Sequence, residues 1–307
     1  MVNLKEKPFI LATSNLLKPT SGEIKLNSPK MQLKVSEKLA ENTIENSLEK
    51  AVEKMSADGS HSFDSVEKTA LVFGQSEDDL TKEFKEFKAL KLFRKFDCDL
   101  TGVRDNEELK VKIEEGLKYG FGNIVVNPLQ VKSAKKFLKG KKVGVICAVC
   151  YPFGEEIYGV KKFSVKKAFS EGADGVYLPV GVSDIKQGKI EQVKREFSKI
   201  IRRHKKKKVF AVLELCELDF SLAEKTVKTL LKIGVSGIVS GSGYSDFSKG
   251  LSSASDLHSL SGGKGSVIAL STSEKSREVV GLFSFADRVF LKNAPKVAFE
   301  LKTKLEF

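Results

Sequence analysis

Residues 141–181 read KKVGVICAVCYPFGEEIYGVKKFSVKKAFSEGADGVYLPVG, and the order of apolar runs within them decides the fold. The run from Val143 to Cys150 is too short for a stable helix and is rich in β-branched residues, so it reads as a strand buried on both faces. A loop from Tyr151 to Glu156 carries Pro152 and Gly154. Ile157, Val160, Phe163, Ala168 and Phe169 then recur at helical spacing, which predicts a helix packed through that stripe and stopping at Glu171-Gly172. Gly175 to Val180 is a second buried strand. Strand, loop, helix and parallel strand make one βαβ unit.

The unit repeats. Strands are expected at Lys95 to Asp99, Asn123 to Asn127, Lys142 to Cys150, Gly175 to Val180, Lys208 to Leu215, Gly237 to Gly241, Ser266 to Leu270 and Arg288 to Lys292. Helical patterns separate them, at about 105–118, 132–139, 157–171, 188–203, 220–233, 253–260, 274–283 and 294–304. This alternation predicts an α/β protein with a (β/α)8 barrel over 95–307, somewhat compact against a typical size of roughly 250 residues. A doubly wound open sheet is the runner-up, but it calls for a glycine-rich phosphate turn after the first strand. Leu100 to Leu109 follows that strand with a single glycine.

Upstream, residues 1–30 mix Ser, Thr, Asn, Lys and Pro without a period and read as a flexible arm. Leu33, Leu39, Ile44, Leu48 and Val52 suggest a helical stripe within Met31 to Met55. A break at Ala57 to Ser60 follows. Ser76 and Asp79 resemble a capping box ahead of Leu80, Phe84, Phe87 and Leu90, so 31–94 is expected to be a helical extension packing on the barrel.

The 307 residues contain four cysteines and no clear signal peptide, which points to a reducing, cytoplasmic setting, and no run of 18 apolar residues predicts a membrane span. Cys147 and Cys150 form a CxxC, but as members of one strand they would point to opposite sides and share no metal. His61, His204 and His258 fall at no strand end, which argues against a hydrolase triad. No metal and no cofactor are expected.

Lys and Arg number 53 against 40 Asp and Glu, a net charge of +13. Solvated helix faces alone account for such a surplus, whereas docking requires concentrated charge. Two runs supply concentration: Arg202, Arg203, His204, Lys205, Lys206, Lys207 and Lys208, and the group Lys135, Lys136, Lys139, Lys141 and Lys142. Both are helix-to-strand connections, on the barrel face opposite the usual active site. Without aromatic interleaving or an RNA motif they predict an acidic protein partner, and a nucleic-acid partner is not expected.

Several stretches resemble the 2-deoxyribose-5-phosphate aldolase family, class I aldolases with this barrel fold, over residues 88–307. They are Ala89-Leu90-Lys91-Leu92 before Phe96-Asp97, Gly120 to Pro128 (GFGNIVVNP) with Val131 and Ala134, and Tyr151-Pro152-Phe153-Gly154 with Gly172-Ala173-Asp174. Further on come Val212-Leu213-Glu214 with Glu217-Leu218, Ser240-Gly241-Ser242-Gly243, and Ala286-Asp287-Arg288-Val289.

The resemblance implies imine chemistry by a lysine amine, its pKa lowered by a neighbouring lysine, with an aspartate and a third lysine relaying protons. Carried over position by position, the imine lysine falls on Val239, its neighbour on Ile268, the aspartate on Tyr177 and the relay lysine on Phe210. The phosphate-binding turns fall on Ser271-Thr272 and Lys292-Asn293. The resemblance therefore implies a catalytically degenerate homologue, a pseudoenzyme, that binds an acidic partner. Filamentous actin is the specific expectation, by analogy with glycolytic aldolase barrels. Two alternatives stand beside it. One is a residual lyase acting on deoxyribose-5-phosphate or another sugar phosphate, with Lys292 as a relocated nucleophile. The other is a small-ligand binder using Ser240, Ser242 and Ser271, with Asp97, Asn127 and Glu214 as polar remnants of the site.

Overall fold

A computed structural model of the chain describes residues 92–245 and 254–304. The arm at 1–30, most of the 31–94 extension, the expected helix at 31–55, the capping box at Ser76 and His61 lie outside the described residues. The strands are β1 (Phe96–Asp99), β2 (Asn123–Val126), β3 (Gly144–Ala148), β4 (Gly175–Pro179), β5 (Lys208–Val212), β6 (Gly237–Val239), β7 (Val267–Ser271) and β8 (Arg288–Leu291). The helices are α1 (Asn106–Tyr119), α2 (Val131–Phe137), α3 (Tyr158–Ser170), α4 (Val182–Lys186), α5 (Ile190–Arg203), α6 (Phe220–Lys232), α7 (Ala254–Ser261), α8 (Ser276–Gly281) and α9 (Ala294–Lys304). Every strand pairs in parallel with the next, and β8 returns to β1, so the barrel is closed. An open doubly wound sheet is excluded, because both of its edges would be unpaired. No described helix is long and apolar enough to cross a membrane.

Two of the sequence motifs act as fasteners at the strand starts. Asp174, just before β4, accepts a hydrogen bond from the Val145 backbone N–H at 2.8 Å, and Asp287, just before β8, accepts one from Val267 N–H at 2.9 Å. Each carboxylate ties its strand to the preceding one, and charge-assisted bonds of this kind exceed a neutral hydrogen bond in strength. Asp105 and Asp219 do comparable work at helix starts, accepting from the backbone N–H groups of Glu108 and Leu222 at 2.8 Å.

Inside the barrel, small residues stand beside large ones. Gly175 pairs with Ile146, and a Cβ at Gly175 would lie 2.9 Å from the Ile146 side chain. Gly237 pairs with Phe210, and a Cβ there would lie 2.7 Å from the Ser266 carbonyl and 3.2 Å from the Phe210 ring. These glycines admit the bulk that fills the interior.

Of the apolar stripe expected to bury α3, Ala168 is buried and Phe169 half-buried, but the rest faces outward. Ile157 is 77% exposed and Phe163 67%, and Val160 is also exposed. Lys161 and Val165 complete the buried face with Ala168. The reason is a long-range partner: Lys161, 3% exposed, pairs with Glu196 on α5 at 3.9 Å, so a charged residue takes the inward position. Removing one member of such a pair leaves the other charge buried. Glu196→Ala is therefore expected to lower stability by about 3 kcal/mol, with Lys161→Met/Glu196→Leu recovering most of the loss in denaturant titrations. Equal losses in both would contradict this account of the pair.

Candidate functional site

The barrel interior is a continuous apolar cluster. Val125, Ile146, Ala148, Tyr177, Phe210, Val212, Val239, Ile268 and Phe290 form it, with Tyr151 and Leu270 packed against its upper end. Val239 and Ile268 are direct partners across β6 and β7. The Tyr177 ring meets Phe210 at 5.5 Å and Phe290 at 5.1 Å, both edge to face, and Tyr151 continues the column at 6.4 Å from Phe290. All four residues predicted from the resemblance to occupy the catalytic positions, Val239, Ile268, Tyr177 and Phe210, thus lie in one packed core.

Below this column lies a buried polar network. Asp97 on β1 accepts from Asn123 Nδ2 at 2.6 Å, from Arg288 Nε at 2.9 Å and also from the terminal guanidinium nitrogen, while its second oxygen accepts from the Tyr177 hydroxyl. Asp97 is buried, and Arg288 supplies its counter-charge. Burial and then the Asp97 charge push the Tyr177 phenol well above its ordinary range, so it stays a neutral donor. Arg288 and Asn123 were not singled out as site residues in the sequence. The available signal was strand alternation, which sets Arg288 two positions before inward-facing Phe290.

At the mouth, where the strands end, Glu214 is buried and accepts from the Ser242 backbone N–H at 2.6 Å through one oxygen, while its other oxygen has no hydrogen-bond partner. The Tyr151 hydroxyl donates to the Ser242 carbonyl. Burial, followed by the charges of Asp99 and Glu214, raises the Tyr151 phenol, and burial raises the Asp99 carboxyl against the hydrogen bonds it receives from Thr101. The three serines are engaged as acceptors. Ser240 Oγ takes the Leu270 N–H at 3.0 Å, Ser242 Oγ the Tyr244 N–H at 3.3 Å, and Ser271 Oγ the Ser273 N–H at 3.2 Å. Asn127 caps the turn after β2 and donates to the carbonyls of Thr101 and Val103. Lys292 places its ammonium 4.3 Å from the centre of the Tyr244 ring. Asn293 reaches across to the Thr272 carbonyl at 3.2 Å, joining the loops after β7 and β8.

The CxxC differs from expectation. Cys150 lies beyond the end of β3 in a left-handed conformation, φ 53°, so the opposite-sides argument for two residues of one strand does not apply. Burial pushes the Cys147 thiol up to about 12. Among the described residues no three His, Cys, Asp or Glu side chains gather at metal-binding distance.

On the opposite rim, Lys139, Lys141 and Lys142 precede β3, and Lys205, Lys206 and Lys208 precede or open β5, all exposed. Lys207 is committed elsewhere. It donates to the Ala173 carbonyl at 2.7 Å and lies over the Phe169 ring. Arg202 and Arg203 end α5 and are exposed.

Eight parallel strands closed into a barrel, with helices following them, define a (β/α)8 protein. The solved structure of QR15, an aldolase, superposes with a TM-score of 0.63 at 20% identity, covering 69% of this chain and 96% of that one. Deoxyribose phosphate aldolase from Aeropyrum pernix gives 0.61 at 19%, covering 70% and 92%. No protein-family model matches the chain. Deoxyribose-phosphate aldolase of Clostridium botulinum strain Loch Maree is 31% identical over 157 residues, 51% of this chain and 74% of that protein. The enzyme of Caldicellulosiruptor saccharolyticus is 30% identical over 141 residues, and the chain spans 64% of its length. The chain belongs to the deoxyribose-phosphate aldolase family.

Tyr177→Phe, which deletes one donor to Asp97, is expected to cost about 1–2 kcal/mol. Asp97→Ala, which strands the Arg288 charge, should cost about 3–5 kcal/mol. Urea midpoints measure both, and a neutral Asp97→Ala would show that the network does not hold the barrel.

Proposed function

We propose that this member of the family is a non-catalytic barrel that acts by binding an acidic protein on its basic surface. The observation that carries the reading is the pairing of Val239 with Ile268 inside the apolar cluster. By the resemblance, these positions belong to the imine-forming lysine and the lysine that tunes it. An aliphatic side chain has no lone pair to attack a carbonyl, and neither β6 nor β7 contains a lysine at any position. Tyr177 and Phe210, at the two proton-relay positions, contribute only aromatic packing and one hydroxyl already given to Asp97. Where the resemblance places the phosphate-binding turns, Ser271-Thr272 and Lys292-Asn293 carry side chains in place of glycines, and Asn293 donates across to the Thr272 carbonyl.

The residual-lyase reading rests on Lys292, among the described residues the one lysine at the end of a barrel strand near the mouth. Its ammonium lies over the Tyr244 ring, a cation–π contact that attack on a carbonyl would have to give up. The same mouth supports the sugar-binding reading less well, since each of the three serines already accepts a backbone hydrogen bond.

On the binding side, the exposed lysines before β3 and β5 share one rim, and filamentous actin is the acidic polymer we test. Borohydride treatment in the presence of deoxyribose-5-phosphate is expected to leave the protein mass unchanged. A trapped adduct that disappears in Lys292→Ala would establish the lyase reading instead. Co-sedimentation with filaments should weaken as salt rises to about 0.3 M and when Lys205 and Lys206 are changed to Glu. Binding indifferent to both would remove the electrostatic basis of the proposal.

A further inference from the structure

Two grooves flank α5. One, of about 360 Å³, lies toward α3 and is lined by Tyr158, Lys162, Lys199, Ile200, Arg202 and Arg203. The other, of about 390 Å³, is lined by Lys194, Arg195, Ser198, Lys199, Arg202 and Ile233. Lys199 and Arg202 belong to both and form the ridge between them. Neither groove has an acidic lining residue. Among the described residues Lys162, Arg195, Lys199, Arg202 and Arg203 make no ion pair, whereas Lys167, Lys186, Lys228 and Lys296 each face a carboxylate within 3.0 Å. The only acidic neighbour engaged by a groove cation is Glu191, which pairs with Lys194 at 2.9 Å.

These cations repeat with helical pitch. Arg195, Lys199 and Arg203 stand at i, i+4 and i+8 on α5, and Lys194 and Arg202 at i and i+8. The charges therefore recur about every 6 Å over about 12 Å. Carboxylates at i, i+4 and i+8 of a second helix recur with the same spacing. The groove floors add an apolar element through Ile200 and Ile233.

We propose that the α5 ridge and its two grooves dock an acidic amphipathic α-helix of a protein partner, carboxylates on its successive turns meeting Arg195, Lys199, Arg202 and Arg203, and apolar side chains entering the floors. This rests on the reading that the barrel binds an acidic protein, and it moves the principal contact from the loop lysines to α5. Helix-in-groove recognition takes this form. A single-stranded nucleic acid is disfavoured because both rings that line the grooves are already covered: Tyr158 has the Lys199 ammonium 5.5 Å from its centre, and His204, which also lines the first groove, packs at 4.8 Å on the Phe169 ring. A membrane surface is disfavoured because the cations line concave grooves between helices.

The test uses the full chain and a fluorescein-labelled peptide of roughly 20 residues, long enough to be helical, with Glu at i, i+4 spacing and Leu on one flank. A peptide of the same composition with the spacing scrambled is the first comparison, and oligo-dT and phosphatidylserine vesicles are the others. Fluorescence polarisation is expected to show binding at least about tenfold tighter for the ordered peptide, a loss of about 30-fold in Lys199→Glu/Arg202→Glu, and a change under about threefold in Lys205→Glu/Lys206→Glu. Circular dichroism confirms that both surface variants are folded. Equal binding of the scrambled peptide, or tighter binding of oligo-dT or vesicles, overturns the proposal. So does a loss confined to the Lys205/Lys206 variant, which leaves the acidic-partner reading standing and assigns it to the loops. Failure to bind either peptide while filaments still co-sediment overturns the helix proposal alone, and failure of both overturns the parent reading with it.

Discussion

Asp97 sits near the axis of the barrel and accepts hydrogen bonds from three other strands: Asn123 on β2, Tyr177 on β4 and Arg288 on β8. A buried carboxylate is tolerated only when its charge is matched and its lone pairs are filled, and this one has both. The network constrains everything above it. Tyr177 must reach from the far wall to give its hydroxyl, so its ring crosses the interior, where Phe210 and Phe290 pack on its two sides. Val239, Ile268 and Val212 fill what remains. The centre of the barrel is thereby a buried apolar core, with polar groups displaced to the floor and the mouth.

That division sets what the molecule can do. Imine chemistry needs an amine with a low pKa next to a relay of acids and bases, all reaching one carbonyl carbon. The mouth holds Asp99, Tyr151, Glu214 and Lys292, but burial pushes the Tyr151 phenol and the Asp99 carboxyl upward, and the Lys292 side chain lies over the Tyr244 ring. Outside the barrel the balance is reversed: Arg195, Lys199, Arg202 and Arg203 on α5 face no carboxylate at ion-pair distance among the described residues, and exposed lysines crowd the rim before β3 and β5. The packed centre and the charged exterior are the two features on which the proposed binding role rests.

The strands were legible in the sequence because a parallel sheet covered by helices buries both faces, leaving β-branched runs without alternation. Their ends were less so. Val149, Leu213 and Leu215 continue the apolar runs past the strand ends: all three are buried, Val149 and Leu213 give one last N–H to Tyr177 and Val239 on the next strand, and Leu215 opens a short helical turn. The facing of α3 was misread for a different reason. Hydrophobic spacing carries no trace of a buried Lys161, whose position depends on Glu196, a partner on another helix. The partners of Asp97 lie 26, 80 and 191 positions away, separations over which periodicity says nothing. Cys150 is a local case: only a φ of 53° takes it out of the strand, and cysteine does not advertise such a conformation.

The central claim is that a barrel filled by Val239, Ile268, Tyr177 and Phe210 performs no aldol chemistry. Its most direct test is retro-aldol cleavage of 2-deoxyribose-5-phosphate, followed by release of the aldehyde products, beside an active member of the family at equal concentration. The account predicts a rate indistinguishable from the protein-free reaction at every substrate concentration. Saturable turnover that follows the protein through purification would contradict it.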